Sequence, residues 1–314
     1  MIVTSAFEQN WQDLLGIAIA LGASDLYLEP AGDSLRIRVR VDGVLRTIQQ
    51  LKEPKHRDRL AAQAKRGCNF DMGRLGVPQD SRFVAREFPF DFRASLIPTL
   101  YGEKIVLRLL ERNREFSLES YPLPDEAKRI LFGFLGRWQG LILVTGPTGS
   151  GKSTLLYSAL AEIDREQNNV HTLEEPVEYQ LPGLNQTPIT AELRFPKAVS
   201  TLMRQDPDVI LIGEIRDEET AHAAMHAAST GHLVLSTVHA NSACESITRM
   251  QGLGIDKDLL VANLLFASAQ RLAPRLCQAC KEHDPDSVHL FHAVFGADAQ
   301  GIPPWKATGC DSCK

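Results

Sequence analysis

Residues 146–153 read Gly-Pro-Thr-Gly-Ser-Gly-Lys-Ser, between the apolar run 141–145 and the helix-forming run 154–163. A glycine loop that closes on Lys-Ser between a strand and a helix is built to surround a nucleotide phosphate. Free backbone N–H groups and the positive end of the helix dipole both point there. Gly146, Pro147, Thr148, Gly149, Ser150, Gly151, Lys152, Ser153 and Thr154 are therefore the candidate cradle for ATP. In such a cradle Lys152 reaches the β- and γ-phosphates, and the Ser153 hydroxyl ligates Mg2+.

Three further strand-like runs end in groups that suit phosphoryl transfer. The stretch 208–214 is apolar after Asp208 and delivers Glu214 at its end, the position of a Walker-type carboxylate near Mg2+. Asp208 precedes the strand and reads as a local cap. The stretch 170–179 ends its strand in Glu174 and Glu175 before Pro176. A carboxylate there, Glu174 in the first instance, can polarise an attacking water. Glu178 reads as a surface or interface group. The stretch 231–241 places His232 at the start of a strand and His239 beyond its end, where an imidazole can sense a γ-phosphate or bridge to an acid. Phosphoryl transfer to water is the reaction implied, since no acceptor-binding motif for a kinase is evident.

Four of the six cysteines form Cys277-x-x-Cys280 and Cys310-x-x-Cys313, whereas Cys68 and Cys244 stand alone. Two such pairs predict a tetrahedral Zn2+ site with no position left for water. Redox pairs or disulfides are the open alternatives.

The elements that must position these groups follow from patterning. The 314 residues suffice for two domains, and 44% hydrophobic with 23% charged residues describes a globular protein. The net charge of −5, its acidic excess lying after residue 120, disfavours nucleic acid as a partner. The apolar run 14–23 is too short to span a bilayer and predicts a buried helix. Residues 35–41 alternate Leu35, Ile37, Val39 and Val41 against Arg36, Arg38 and Arg40, and Asp42-Gly43 turns them into a hairpin. A helix over 55–67 and strands near 81–96 and 104–110 complete a small α/β domain. The proline-bearing stretch 117–129 reads as a linker. Strands and helices then alternate (141–145, 152–163, 170–173, 194–204, 209–213, 217–228, 233–237, 242–251), with a helical stretch at 257–272. That order predicts a mostly parallel sheet with helices on both faces.

These motifs together resemble the secretion ATPases that power type II secretion and type IV pilus assembly. The resemblance runs from about Gly22 to Lys314 and rests on GASDLYLEP, PQDSRF, FRASLIPTLYGEKIVLRLL, GPTGSGKS, LEEPVEYQLPG, RQDPDVILIGEIRDEET, TGHLVLSTVHAN and QRLAPRLCQAC. It implies a smaller N-terminal α/β (PAS-like) domain over 1–115, a linker over 116–126, a RecA-like P-loop ATPase domain over 127–271 and a tetracysteine element over 272–314. It assigns Glu174 as general base, Glu214 as the Walker B carboxylate and His239 as the His-box residue, with Arg93 and Arg108 offered to phosphate by the N-terminal domain. It further implies a cytoplasmic hexameric ring that meets the membrane only peripherally, through inner-membrane platform and docking proteins. Pilus assembly, a DNA-uptake or conjugation-linked ATPase, and a poorly hydrolysing ATP-binding subunit are the alternatives to type II secretion. Glu175, Tyr27, Ser81, Ala240 and Ser200 depart from the family pattern and point to weaker or differently regulated turnover. A first N-terminal docking domain and the segment after the second cysteine pair, usual in the family, are not expected in this chain.

Overall fold

The computed structural model describes residues 10–112, 114–296, 303–310 and 313. Residues 1–271 form one compact unit and 272–314 a second.

The first unit begins with helix α1 (Trp11–Ala20), strands β1 (Asp25–Ala31), β2 (Ser34–Val41) and β3 (Val44–Leu51), helix α2 (Pro54–Gly67), and strands β4 (Gln79–Val84), β5 (Phe90–Thr99) and β6 (Gly102–Glu111). The strands make an antiparallel sheet in the order β3-β2-β1-β6-β5-β4. Alternation decides its two faces. Leu26, Leu28, Leu35, Ile37, Val39, Phe92, Ala94 and Leu107 are buried in one core with Trp11, Leu14 and Leu15 of α1. The predicted hairpin closes at Asp42 and Gly43, with φ of 50° and 78°, the left-handed pair that a two-residue turn requires. The strands expected near 81–96 are β4 and β5, separated where 85–89 turns back on itself through Phe88 N–H donating to the Ala85 carbonyl.

The other sheet face is charged. Glu29 accepts from Arg36 (3.1 Å), Arg38 (2.7 Å) and Lys104 (3.0 Å). Burial raises the Glu29 pKa, but the hydrogen bonds from Arg38 and Lys104 outweigh it and hold the carboxyl at about 2. One lateral row runs Arg40, Asp25, Arg108, Arg93 and Arg82 across β2, β1, β6, β5 and β4.

Helix α3 (Asp125–Leu135), strand β7 (Gly140–Thr145), helix α4 (Lys152–Ala161), strands β8 (Val170–Glu174) and β9 (Asn185–Pro188) and helix α5 (Phe195–Leu202) follow. Next come β10 (Val209–Ile215), α6 (Glu218–Ser229), β11 (Leu233–Val238), α7 (Ala243–Gly252), α8 (Lys257–Asn263) and β12 (Leu264–Ala269). The strands form a parallel sheet ordered β12-β7-β11-β10-β8-β9. β7 is buried along its whole length, as a strand covered on both faces must be. Its Leu141 and Leu143 join the core of α5 and α6, and Ile142 and Val144 the core of α4.

One expectation is corrected here. The stretch 257–272 is helical only to Asn263; Leu264–Ala269 pairs in parallel with β7 instead. Its apolar run carries no helical period, so pairing with an unfilled strand edge wins over local preference. The stretch 117–129, read as a linker, packs closely at its start. Leu118 is fully buried, its N–H donates to Glu162 (2.8 Å), and Tyr121 is buried beside it.

The second unit contains a two-stranded antiparallel pair, β13 (Lys281–His283) with β14 (Trp305–Ala307), and helix α9 (Val288–Phe295). Among the described residues no helix is long and apolar enough to cross a membrane.

Candidate functional site: a phosphate loop beside two strand ends

β7 ends at Thr145 and the chain turns through Gly146, Gly149 and Gly151, with φ of 143°, 78° and 87°. At Gly146 glycine is obligatory on two counts. The conformation is left-handed, and a Cβ would lie 2.5 Å from the Gln270 carbonyl and 2.6 Å from Ser150 Oγ. Helix α4 starts at Lys152 without a side-chain cap, so its first N–H groups are available to an anion. Ser150 Oγ is buried and has no hydrogen-bond partner. Lys152 Nζ donates to the carbonyls of Gly146 (2.9 Å) and Pro147 (3.1 Å). Burial lowers its pKa, against the opposing charges of Glu214 and Glu178. An orphaned hydroxyl, an uncapped helix start and a lysine folded onto its own loop fit a triphosphate with its Mg2+.

The loop is braced from outside. Tyr121 donates to the Gly151 carbonyl (3.2 Å) and accepts from Gln270 Nε2 (2.7 Å), while the Gln270 N–H donates to the Thr145 carbonyl (2.8 Å). Thr145 Oγ1 donates to the Ala240 carbonyl and accepts from the Ala240 N–H, both at 2.8 Å. The start of the phosphate loop is thereby fixed to the residue after His239.

β11 and β10 are the next two strands after β7, and their ends bring His239 and Glu214 together. His239 Nε2 lies 2.6 Å from Glu214 Oε1, without the alignment of a hydrogen bond. The imidazole thus bridges to an acid. Arg216, which the sequence reading missed, donates from Nε to Glu214 (2.6 Å) and from Nη1 to Glu175 (3.3 Å). Its position two residues after Glu214 was the available signal. The longer side chain of Glu175, where the family pattern has Asp, reaches this guanidinium. Asp208 caps the opposite end of the sheet, accepting from the Asn169 N–H (2.7 Å).

The other acidic strand end divides its two glutamates unexpectedly. Glu174 is only 5% exposed. It accepts from Tyr157, from Thr172 Oγ1 (2.5 Å) and from Gln186 Nε2 (3.2 Å). Glu178 is half-buried, and its charge is one of two, after Glu214, that oppose the lowering of the Lys152 pKa by burial.

Arg93 and Arg108 face each other across β5 and β6 on the open face of the first sheet, with Arg108 Nε donating to Asp25 (3.0 Å). Among the described residues no hydrogen bond or ion pair joins either to the phosphate loop. The arginine that does reach across is Arg82, whose Nη1 donates to the Val177 carbonyl (3.3 Å) while Nη2 pairs with Asp91 (2.9 Å).

In the second unit the sulfurs of Cys277, Cys280, Cys310 and Cys313 all lie within 4.8 Å of one another. Separations of 4.0 Å (Cys277–Cys310), 3.6 Å (Cys280–Cys313) and 3.8 Å (Cys310–Cys313) match the ~3.8 Å edge of a tetrahedron with zinc–sulfur bonds of about 2.3 Å. The Cys310 N–H draws the Cys313 thiol pKa down, but proton sharing with Cys280 and Cys310 prevails and pushes it up to about 12. Bound metal replaces those protons, so the donor set fits Zn2+.

A parallel sheet with a glycine-lysine-serine loop after one strand and an acid–histidine pair on the next two defines the P-loop nucleotide-binding class. The chain belongs to the type II/IV secretion system protein family, whose model matches residues 4–314. It is 41% identical to the type II secretion system protein E of Klebsiella pneumoniae over 96% of this chain and 61% of that one. It is 40% identical to the type IV pilus assembly ATPase PilB of Pseudomonas aeruginosa over 95% and 54%. The chain thus spans roughly three fifths of the length of these relatives. Among solved structures it is similar to the pilus retraction motor PilT with bound ADP (32% identity, TM-score 0.60, 77% of this chain and 70% of that one). It is also similar to the Legionella pneumophila ATPase DotB (27%, TM-score 0.69, 83% and 74%).

Proposed function

We propose that the chain is a Mg-ATP-hydrolysing motor subunit that acts as a hexameric ring at the cytoplasmic face of a membrane and drives type II protein secretion. The observation that carries this reading is the placement of Lys152, His239 and Glu214 at the C-terminal ends of three neighbouring parallel strands, the first two after β7 and β11 and the third within the last residues of β10. The loop amides and Lys152 hold the β- and γ-phosphates; Ser153 and Glu214 would hold Mg2+, which neutralises phosphate charge as the bond breaks. Glu178, in place of Glu174, orients the attacking water, because Glu174 is closed in by three donors. His239 reads the γ-phosphate beside Glu214, and Arg93 and Arg108 supply positive charge from the antiparallel sheet. The four cysteines would hold zinc as a structural cross-link. Platform proteins in the membrane receive the motion. Pilus assembly is the second reading, favoured by the equal similarity to PilB.

The test is steady-state ATP hydrolysis with oligomeric mass recorded on the same samples. Lys152→Ala is expected to lose both nucleotide binding and turnover. Glu178→Gln is expected to bind Mg-ATP normally and lose at least about 100-fold in kcat. Wild-type turnover no faster than that of Lys152→Ala would overturn the proposal.

A further inference from the structure

Tyr157 lies five residues after Lys152 on α4 and is 1% exposed. A buried phenol needs a partner for its hydroxyl, and this one donates to Glu174. Glu174 has no cationic partner among the described residues. Its three donors, Tyr157, Thr172 and Gln186, are all neutral. A carboxylate has about four acceptor sites, so three bonds and near-complete burial leave little room for a reacting water. Glu174 is held as an anchor.

What it anchors is the segment 175–184 between β8 and β9. Gln186 Nε2 also donates to the Tyr179 carbonyl (2.9 Å), and its Oε1 accepts from the Leu181 N–H (2.7 Å). The Tyr157 ring meets the Tyr179 ring edge-on, with centroids 5.9 Å apart, and both rings pack on Phe116 at 5.2 Å. Tyr157 thus grips the chain immediately before and immediately after the stretch that carries Glu178. The helix doing so is the one that begins with the phosphate-loop lysine.

We infer that Tyr157 is a positioning residue for hydrolysis: its hydroxyl on Glu174 and its ring on Tyr179 set Glu178 against the phosphate loop. This rests on the reading of Glu178 as the water-orienting carboxylate. Tyr157→Phe keeps the ring and removes only the hydroxyl, and Glu174→Gln turns an amide N–H toward the same donors. Both variants are expected to bind Mg-ATP with wild-type affinity and stoichiometry. Each lowers kcat about ten-fold with KM within about two-fold, the size of one lost charge-assisted hydrogen bond. The double variant is no slower than either single one, because both changes break the same bond. The acid limb of the kcat profile stays in place in Tyr157→Phe.

Three results overturn the inference: wild-type kcat in Tyr157→Phe, additive losses in the double variant, or a kcat loss that only tracks lost ATP-binding stoichiometry. An acid limb that moves up in Tyr157→Phe also overturns it, since Glu174 itself would then be the titrating base. A Glu178→Gln variant with wild-type kcat removes the underlying reading and the inference with it. A dead Glu178→Gln beside an unimpaired Tyr157→Phe removes the inference alone.

Discussion

Replacing Glu29 by Gln tests the electrostatic account of the charged sheet face. In the folded chain Glu29 titrates at about 2 against an ordinary 4.5, a gap equivalent to about 3 kcal/mol at neutral pH. Arg36 and Lys104 are partly exposed, and solvent screening reduces this to about 2 kcal/mol. The folded pKa is the depressed one, so the contribution is complete above pH 4.5 and is lost as pH falls through 4.5 towards 2. Less than half of it remains near pH 3. The assay is urea unfolding followed by fluorescence of Trp11, which is 6% exposed in the core beneath this sheet, whereas Trp138 is open to solvent. Glu29→Gln should cost about 2 kcal/mol at pH 7 and under half of that near pH 3. A cost that is the same at both pH values, or absent at pH 7, would refute the reasoning.

Gly146→Ala forces a Cβ onto the Gln270 carbonyl at a left-handed φ; it should abolish Mg-ATP binding by calorimetry and destabilise the chain by about 1–3 kcal/mol in a melt. Arg216 donates to Glu214; if Glu214 holds Mg2+ as proposed, the guanidinium competes with it, so Arg216→Ala should lower the half-saturating Mg2+ concentration for turnover about five-fold, as loss of a competitor worth ~1 kcal/mol predicts. An unchanged or raised Mg2+ requirement would count against that pairing. Metal analysis under reducing conditions should find one zinc per chain, lost in Cys310→Ser; a zinc-free protein whose melting a chelator leaves unchanged would refute the tetrahedral site.

Much of this arrangement was legible where local pattern and tertiary need agree. The alternation of Leu35, Ile37 and Val39 with arginines requires one wet face, and Asp42-Gly43 requires a tight reversal. The phosphate loop was legible because a fully apolar strand and a long helix flank it. Legibility failed at Leu264–Ala269, whose apolar run suits helix and strand equally and becomes a strand only because β7 has a free edge. The environments of Glu174 and Glu178 were not legible either. One ends β8 and the other follows it, and the partners that bury Glu174 are Tyr157 and Gln186, residues 17 and 12 positions away along the chain. Arg82 and Arg216 escaped notice for the same reason: a guanidinium finds its partner in space.

Through two hydrogen bonds the Tyr121 hydroxyl ties its own connecting stretch to the phosphate loop at Gly151 and to Gln270, just after the last strand of the parallel sheet. The covalent routes into and out of that sheet are therefore knotted to the nucleotide cradle at a single phenol. One oxygen atom is thus the meeting point of the stretch that enters the sheet, the loop that follows its first buried strand and the residue that follows its last.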